Sequence, residues 1–240
     1  MSAVACRSFG RTETGKVRRH NEDSILVRED AGLWVVADGL GGHSAGDHAS
    51  QLIVRRLGEV PRGEDVCDFI DAIEDALVDV NAELIELAAQ RGQDLIGSTV
   101  VILVDGPDFT LCGWVGDSRG YCFDEDRLRQ VTQDHVHGVK DDVTQFGGRG
   151  APSDPPPGAL TRAIGAQESL FVDWVVSGVR QGQTFVLCSD GLNKEVADEE
   201  IDLECGRARD PRSLVDRLCG LAMSRSARDN ISVVAVRIPE

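Results

Sequence analysis

No stretch of this chain is apolar for long enough to cross a membrane. The longest runs, such as Thr99 to Val104, fall far short of the roughly 20 residues a spanning helix needs. The opening residues, Met1 to Arg7, show no basic segment followed by an apolar one, so no secretory leader is expected. Positive charge is scarce: 25 Lys and Arg stand against 41 Asp and Glu in 240 residues, a net charge of −16. That balance excludes a nucleic-acid partner, which requires cations against its phosphates. It equally excludes an anionic membrane surface. No C-x-x-C pair occurs among the seven cysteines, and their number is odd. A disulfide framework is therefore not expected; the pattern points to buried, reduced thiols and a cytoplasmic location. There is no internal repeat, no dividing linker, no His-Cys cluster suited to zinc and no Ser-His-Asp arrangement.

What is present is a globular composition, 41% hydrophobic and 28% charged. Residues 25–27 and 33–36 are predicted strands, and the second runs into a Gly-rich turn from Asp38 to His43. Ala49, Leu52, Ile53 and Leu57 form a short helical face. Ile70, Ile73, Leu77, Val80, Leu84 and Leu87 recur at spacings of three and four, which predicts a helix of about 25 residues ending near Gly92. Four further strands, at 98–105, 109–115, 119–123 and 128–131, are joined by turn-length links. Such links predict an antiparallel meander. Residues 135–158 hold four of the eight prolines and are predicted to form a flap-like surface loop. Strands resume at 170–176, 184–188 and 231–238, and Asp210-Pro211 opens a helix with a cap and a first-turn proline. The simplest account is a single α+β domain over residues 1–240.

Acidic residues recur where strands meet tight turns. Glu22-Asp23 precedes one strand, Asp38-Gly39 follows Trp34 to Ala37, Asp117 lies in Gly116-Asp117-Ser118, Asp190-Gly191 follows Phe185 to Ser189, and Asp229-Asn230 precedes the last strand. Any one of them is ordinary turn chemistry. Together they describe strand ends that converge, and converging carboxylates repel unless cations lie between them. Oxygen-only ligands select hard divalent ions such as Mg²⁺ or Mn²⁺.

Six segments occur in order: Arg18 to Asp23, Asp38 to His43, Gly97 to Val100, Gly116 to Arg119, Ser189 to Gly191 and Asp229 to Ile231. The ordered set resembles the metal-dependent serine/threonine phosphatases of the type 2C class (the PPM family) in their short bacterial form. The resemblance spans residues 10–237. It implies a four-layer α-β-β-α sandwich of two antiparallel sheets flanked by helices, with the metal site at one end. It also implies that Asp38 bridges two ions, that the Gly39 carbonyl joins it, and that Asp190 and Asp229 hold the second ion. By the same resemblance Glu22 and Asp23 contact the site through water, Asp117 shares a third, weaker ion with Asp190, and Arg18 binds the substrate phosphate.

Two ions about 3.5–4 Å apart can acidify a shared water, so no nucleophilic side chain is required. Arg18 would hold two phosphate oxygens with its planar fork. Leu40 stands where many members carry a histidine; His43, three residues later, either assists substrate protonation or shapes the turn. Gly-Gly-Arg-Gly and Pro-Pro-Pro stand in the flap segment where bacterial members carry an amphipathic pattern. The implied activity is hydrolysis of phosphoserine and phosphothreonine in proteins by a monomeric enzyme that opposes a bacterial Ser/Thr kinase, with two Mn²⁺ or Mg²⁺ ions and a third. The alternative is an inactive pseudophosphatase that only binds. Its favouring signal, a lost metal carboxylate or a lost arginine, is absent.

Overall fold

A computed structural model describes residues 6–41, 45–138, 156 and 158–238. In chain order these form β1 (Arg7–Glu13), β2 (Asp23–Arg28), β3 (Leu33–Leu40), α1 (Ala45–Glu59), α2 (Val66–Arg91), β4 (Gly97–Ser98), β5 (Val100–Asp105), β6 (Phe109–Val115), β7 (Arg119–Asp124) and β8 (Arg127–Gln130). There follow β9 (Asp173–Gly178), β10 (Thr184–Cys188), α3 (Asp190–Asn193), α4 (Asp198–Arg207), α5 (Pro211–Ser224) and β11 (Ile231–Arg237). One sheet has the order β1-β11-β10-β7-β8 and the other β2-β3-β5-β6-β9, with β4 beside β3. Every strand pair is antiparallel.

Two-residue alternation assigns each central strand to two apolar layers. In β3, Leu33, Val35 and Ala37 pack with α1 and α2, while Trp34 and Val36 face the other sheet. In β11, Ile231, Val233 and Ala235 join the layer under α5, while Val234 and Val236 enter the space between the sheets. The three apolar clusters are thus the three seams of a four-layer α-β-β-α sandwich. Side chains such as Trp34, Phe185 and Leu103 are all but fully buried, each contributing about 1.5–3 kcal/mol through lost apolar hydration. The predicted long helix is α2. Asp65 caps its start by accepting from the Cys67 N–H at 2.7 Å, and Gly92 at φ 63° ends it.

Three expectations need correction. The four strands after α2 are not one meander. β5 and β6 pair with each other, but β7 and β8 belong to the opposite sheet. A turn-length link can cross between stacked sheets as readily as it closes a hairpin, and Gly116-Asp117-Ser118 is such a crossing. β3 also runs on through Asp38, Gly39 and Leu40, because Gly39 and Leu40 pair with Ser98 and Gly97. Finally, Cys67 is exposed at the start of α2, whereas the other six cysteines are buried and free.

Much of the flap-like segment lies outside the described residues. Its base is a short antiparallel clasp in which Val136 bridges Leu160, and the His137 and Thr161 N–H groups donate to Ala159 and His135 carbonyls. Among the described residues, no helix is long and apolar enough to cross a membrane.

Candidate metal centre and active site

The site begins at the end of β3. The Asp38 carbonyl accepts from the Thr99 N–H and from Ser98 Oγ, both at 2.9 Å, which fixes the backbone beneath its carboxylate. Asp38 stands opposite Asp23 in the β2–β3 register. Gly39 then passes so close to α1 that a Cβ would lie 2.0 Å from the Gly46 carbonyl oxygen. Only glycine permits that approach. Asp23 is buried, with Oδ2 accepting from Ser189 Oγ at 2.7 Å and Oδ1 unpartnered.

Asp117 sits in the crossing between the sheets. Gly116 before it adopts φ 110°, and its N–H donates to His135 Nδ1 at 3.0 Å. His135 Nε2 meets Asp173 Oδ2 at 2.8 Å, so the Nδ1 lone pair remains the acceptor that anchors the turn. Asp190 opens α3 directly after β10. Gly191 beside it touches β11 so closely that a Cβ would lie 1.9 Å from the Asn230 carbonyl oxygen. Asp229 leads into β11, and Asn230 ties down the 14–22 loop. Its Nδ2 donates to the Thr14 and His20 carbonyls, and its Oδ1 accepts from the Glu22 N–H.

These ends enclose a cavity of about 360 Å³ lined by Arg18, Glu22, Asp38, Gly39, Asp117, Asp190 and Asp229, with Leu40, Gly41, Gly158, Leu160, Lys194 and Asn230. Seven of the nine residues singled out from the sequence therefore share one cavity. Asp23 lies behind it, and His43 lies outside the described residues.

Burial, then repulsion from Asp23, Asp190, Asp117 and Asp229, holds the Asp38 carboxyl well above the usual carboxylate range. Burial, then Asp190, pushes Asp117 up to about 6, against a downward pull from Lys194. Burial chiefly raises Asp23 to about 6 as well, opposed by serine hydroxyls and aided by Asp190 and Asp229. Among the described residues no three acids already form a closed metal cage. Two cations pair with them. Arg18 lays its fork on Asp229, with Nε 2.8 Å from Oδ1 and an Nη 2.9 Å from Oδ2. Lys194 pairs with Asp190 Oδ2 and lies 4.0 Å from Asp229 Oδ2. The donor set nonetheless fits hard divalent cations: it is all oxygen, it is crowded with like charge, and Asp190 Oδ1 is buried with no hydrogen bond.

The family model for protein phosphatase 2C matches residues 14–229. This chain belongs to the protein phosphatase 2C family. The serine/threonine phosphatase stp of Listeria innocua is 33% identical over 237 residues, covering 94% of this chain and 93% of that protein. PppA of Pseudomonas aeruginosa, described as a key regulatory component of the T6SS, superposes with a TM-score of 0.88 at 37% identity, over 97% of both chains. The catalytic domain of the serine/threonine protein phosphatase PstP, solved with two manganese ions, superposes with a TM-score of 0.81 at 26% identity, over 98% of this chain and 99% of that one. The sandwich is thus the family fold.

Sequence reasoning missed several members of this phosphatase-family site. Lys194 lies four residues after Asp190, but α3 spans four residues, too short for periodicity to reveal. Asn230 stood within a recognised motif with no role assigned, and its clamp on the 14–22 loop joins residues over 200 positions apart. His135 looked like part of a surface loop; only the crossing of Gly116 places a backbone N–H against its ring.

Proposed function

We propose that this chain is a metal-dependent protein phosphatase that hydrolyses phosphoserine and phosphothreonine, and that residues 1–240 act as one catalytic domain. The observation that carries this reading is the meeting of Asp38, Asp117, Asp190 and Asp229, from four separate strand ends, with Arg18 around one cavity. Asp38 and the Gly39 carbonyl would hold one ion, and Asp38, Asp190 and Asp229 a second. Asp117 would share a third, weaker one with Asp190, with Glu22 and Asp23 reached through water. Mn²⁺ or Mg²⁺ suits these donors. Bound there, such ions supply Lewis acidity toward a phosphoryl oxygen and a nucleophilic water at neutral pH.

The chain's own residues do the rest. No Ser, Thr, Cys or His lines the cavity among the described residues, and this reading assigns the attack to water. Arg18, half-exposed at the mouth, presents a fork that can grip two phosphate oxygens. That fork now rests on Asp229, and gripping phosphate requires it to turn from that carboxylate. Ser98 and Thr99 keep the Asp38 carboxylate in place from below, and Asn230 keeps the Arg18 loop in place from the side. Leu40 and Leu160 supply apolar wall at the mouth. Charge complementarity, two basic against five acidic side chains around the cavity, disfavours a free anion and favours a phosphate presented together with cations.

The substrate is a phosphorylated protein, and the natural antagonist is a Ser/Thr kinase. The stp likeness supports the substrate class. The reading includes a monomeric, cytoplasmic enzyme. The test is phosphate release from a phosphothreonine peptide, with Mn²⁺ and then with EDTA. Release that requires Mn²⁺ supports the proposal. No release in either condition returns the weight to an inactive phosphopeptide-binding module.

A further inference from the structure

Seven charged side chains line the cavity among the described residues. Five are acids; Arg18 and Lys194 are the bases. Arg18 has a place in phosphate binding, whereas Lys194 is unused by the chemistry above. α3 starts at Asp190, and one helical turn returns Lys194 to the same face. Its ammonium pairs with Asp190 Oδ2 and lies 4.0 Å from Asp229 Oδ2. The Lys194 side chain is 57% exposed and that of Asp190 only 15%. The lysine therefore descends onto the carboxylate from the solvent side, on a flexible stem. Asp190 Oδ1, by contrast, is buried without a hydrogen bond. Asp117 lines the same cavity as Asp190 and Lys194.

We propose that Lys194 is a tethered cation that takes the place of a weakly held divalent ion between Asp117 and Asp190, so that this chain binds fewer ions there than its carboxylates alone would. The inference rests on the metal-dependent reading of the site. An ammonium is a compact point charge, closer to a metal ion in form than a guanidinium fork is. Its tether keeps it at high local concentration beside Asp190. A divalent ion entering on that side must break a charge-assisted hydrogen bond and accept a positive neighbour. An ion held by Asp38 and the Gly39 carbonyl is least affected, because it does not share the carboxylate that Lys194 pairs with.

The test counts Mn²⁺ bound to the full chain by electron paramagnetic resonance and calorimetry, without substrate. Lys194→Met and Lys194→Gln remove the charge at a half-exposed position and should lower the melting transition in EDTA modestly, by unbalancing the acids, while leaving it cooperative. Each should bind one more Mn²⁺, or hold its weakest Mn²⁺ roughly ten- to hundredfold more tightly. Adding Asp117→Asn to either should abolish the gain, and Lys194→Arg, which keeps the charge, should show none. Unchanged stoichiometry and affinity in both neutral variants would overturn the proposal alone. A gain that survives Asp117→Asn would also overturn it. Absence of Mn²⁺ binding in parent and variants alike would overturn the metal-dependent reading, and the proposal with it.

Discussion

The two ends of the sandwich are built from the same parts and behave differently. At the far end, opposite the site, Asp124 and Glu125 occupy a strand-end turn much as Asp117 does. A larger cavity, about 640 Å³, opens there between β8 and β9. Yet those acids are paired: Arg180 bonds Asp124 at 3.1 Å and Glu125 at 2.7 Å, and Gln183 bonds Asp124 at 3.1 Å. Arg127 and Arg129 add further positive charge. At the site end acids outnumber bases, and glycines press the strand ends together until the acids are buried against one another. Cavity size therefore says little about chemistry. Unbalanced, desolvated charge marks the working end.

The sharpest way to break the comparison is to neutralise one acid at the site end. Asp38→Asn should lower Mn²⁺-dependent phosphate release by about a thousandfold or more, since a metal-held carboxylate carries several kcal/mol of transition-state stabilisation. Its melting temperature in EDTA should not fall, because the substitution relieves repulsion. Full activity in Asp38→Asn would sink the two-ion site. Arg18→Ala should raise KM for a phosphopeptide by roughly ten- to hundredfold, with Mn²⁺ affinity little changed; a loss of metal binding of similar size would count against the phosphate-gripping role.

Glycine gives a second contrast. Gly191→Ala places a methyl 1.9 Å from the Asn230 carbonyl oxygen and should cost about 3 kcal/mol or more in urea melts. At the far end a Cβ on Gly178 meets nothing within 4 Å, so Gly178→Ala should stay within about 0.5 kcal/mol of the parent. Equal costs would show that strand-end packing is not what gathers the acids.

Proton linkage separates the ends as well. Asp23 and Asp117 titrate near about 6 in the folded chain against 3.8 for the free side chain. Between those values the folded state binds more protons than the unfolded one, so stability falls as pH rises. In EDTA the melting temperature should drop by about 5 °C from pH 5 to pH 7.5, and saturating Mn²⁺ should flatten the slope. A flat profile in EDTA would mean the carboxylates are neither desolvated nor repelled by one another. The smallest effect belongs to the far end. Arg180→Ala breaks two exposed ion pairs and should cost less than about 1 kcal/mol without altering turnover.

Much of the fold was legible because its elements carry strong local signals. The spacing of Ile73, Leu77, Val80 and Leu84 specified α2, and Asp210-Pro211 marked α5. β1 escaped notice because it is an edge strand whose residues, Arg7 to Glu13, are mostly polar and partly exposed. It is held by pairing with β11 rather than by its own pattern. α3 and α4 were too short or too polar to stand out. The metal acids were legible as a habit of sequence, Asp at strand ends beside Gly, Ser or Asn. Which of them share a site was not: Asp105, followed by Gly106, fits the same habit and lies at the wrong end.

The order of residues alone determined the layers' apolar stripes, the excess of acid, the strand-end aspartates and the family motifs. These are local or additive properties, and periodicity and counting recover them. Tertiary structure decided that Gly116 to Ser118 crosses between sheets, and that Arg18 and Lys194 fall on Asp229 and Asp190. It also decided that Asp38, Asp117, Asp190 and Asp229 bury one another's charge. Coulomb energy and desolvation depend on distance through space, not along the chain, and residues up to 191 positions apart from Asp38 to Asp229 become neighbours only when both sheets have closed.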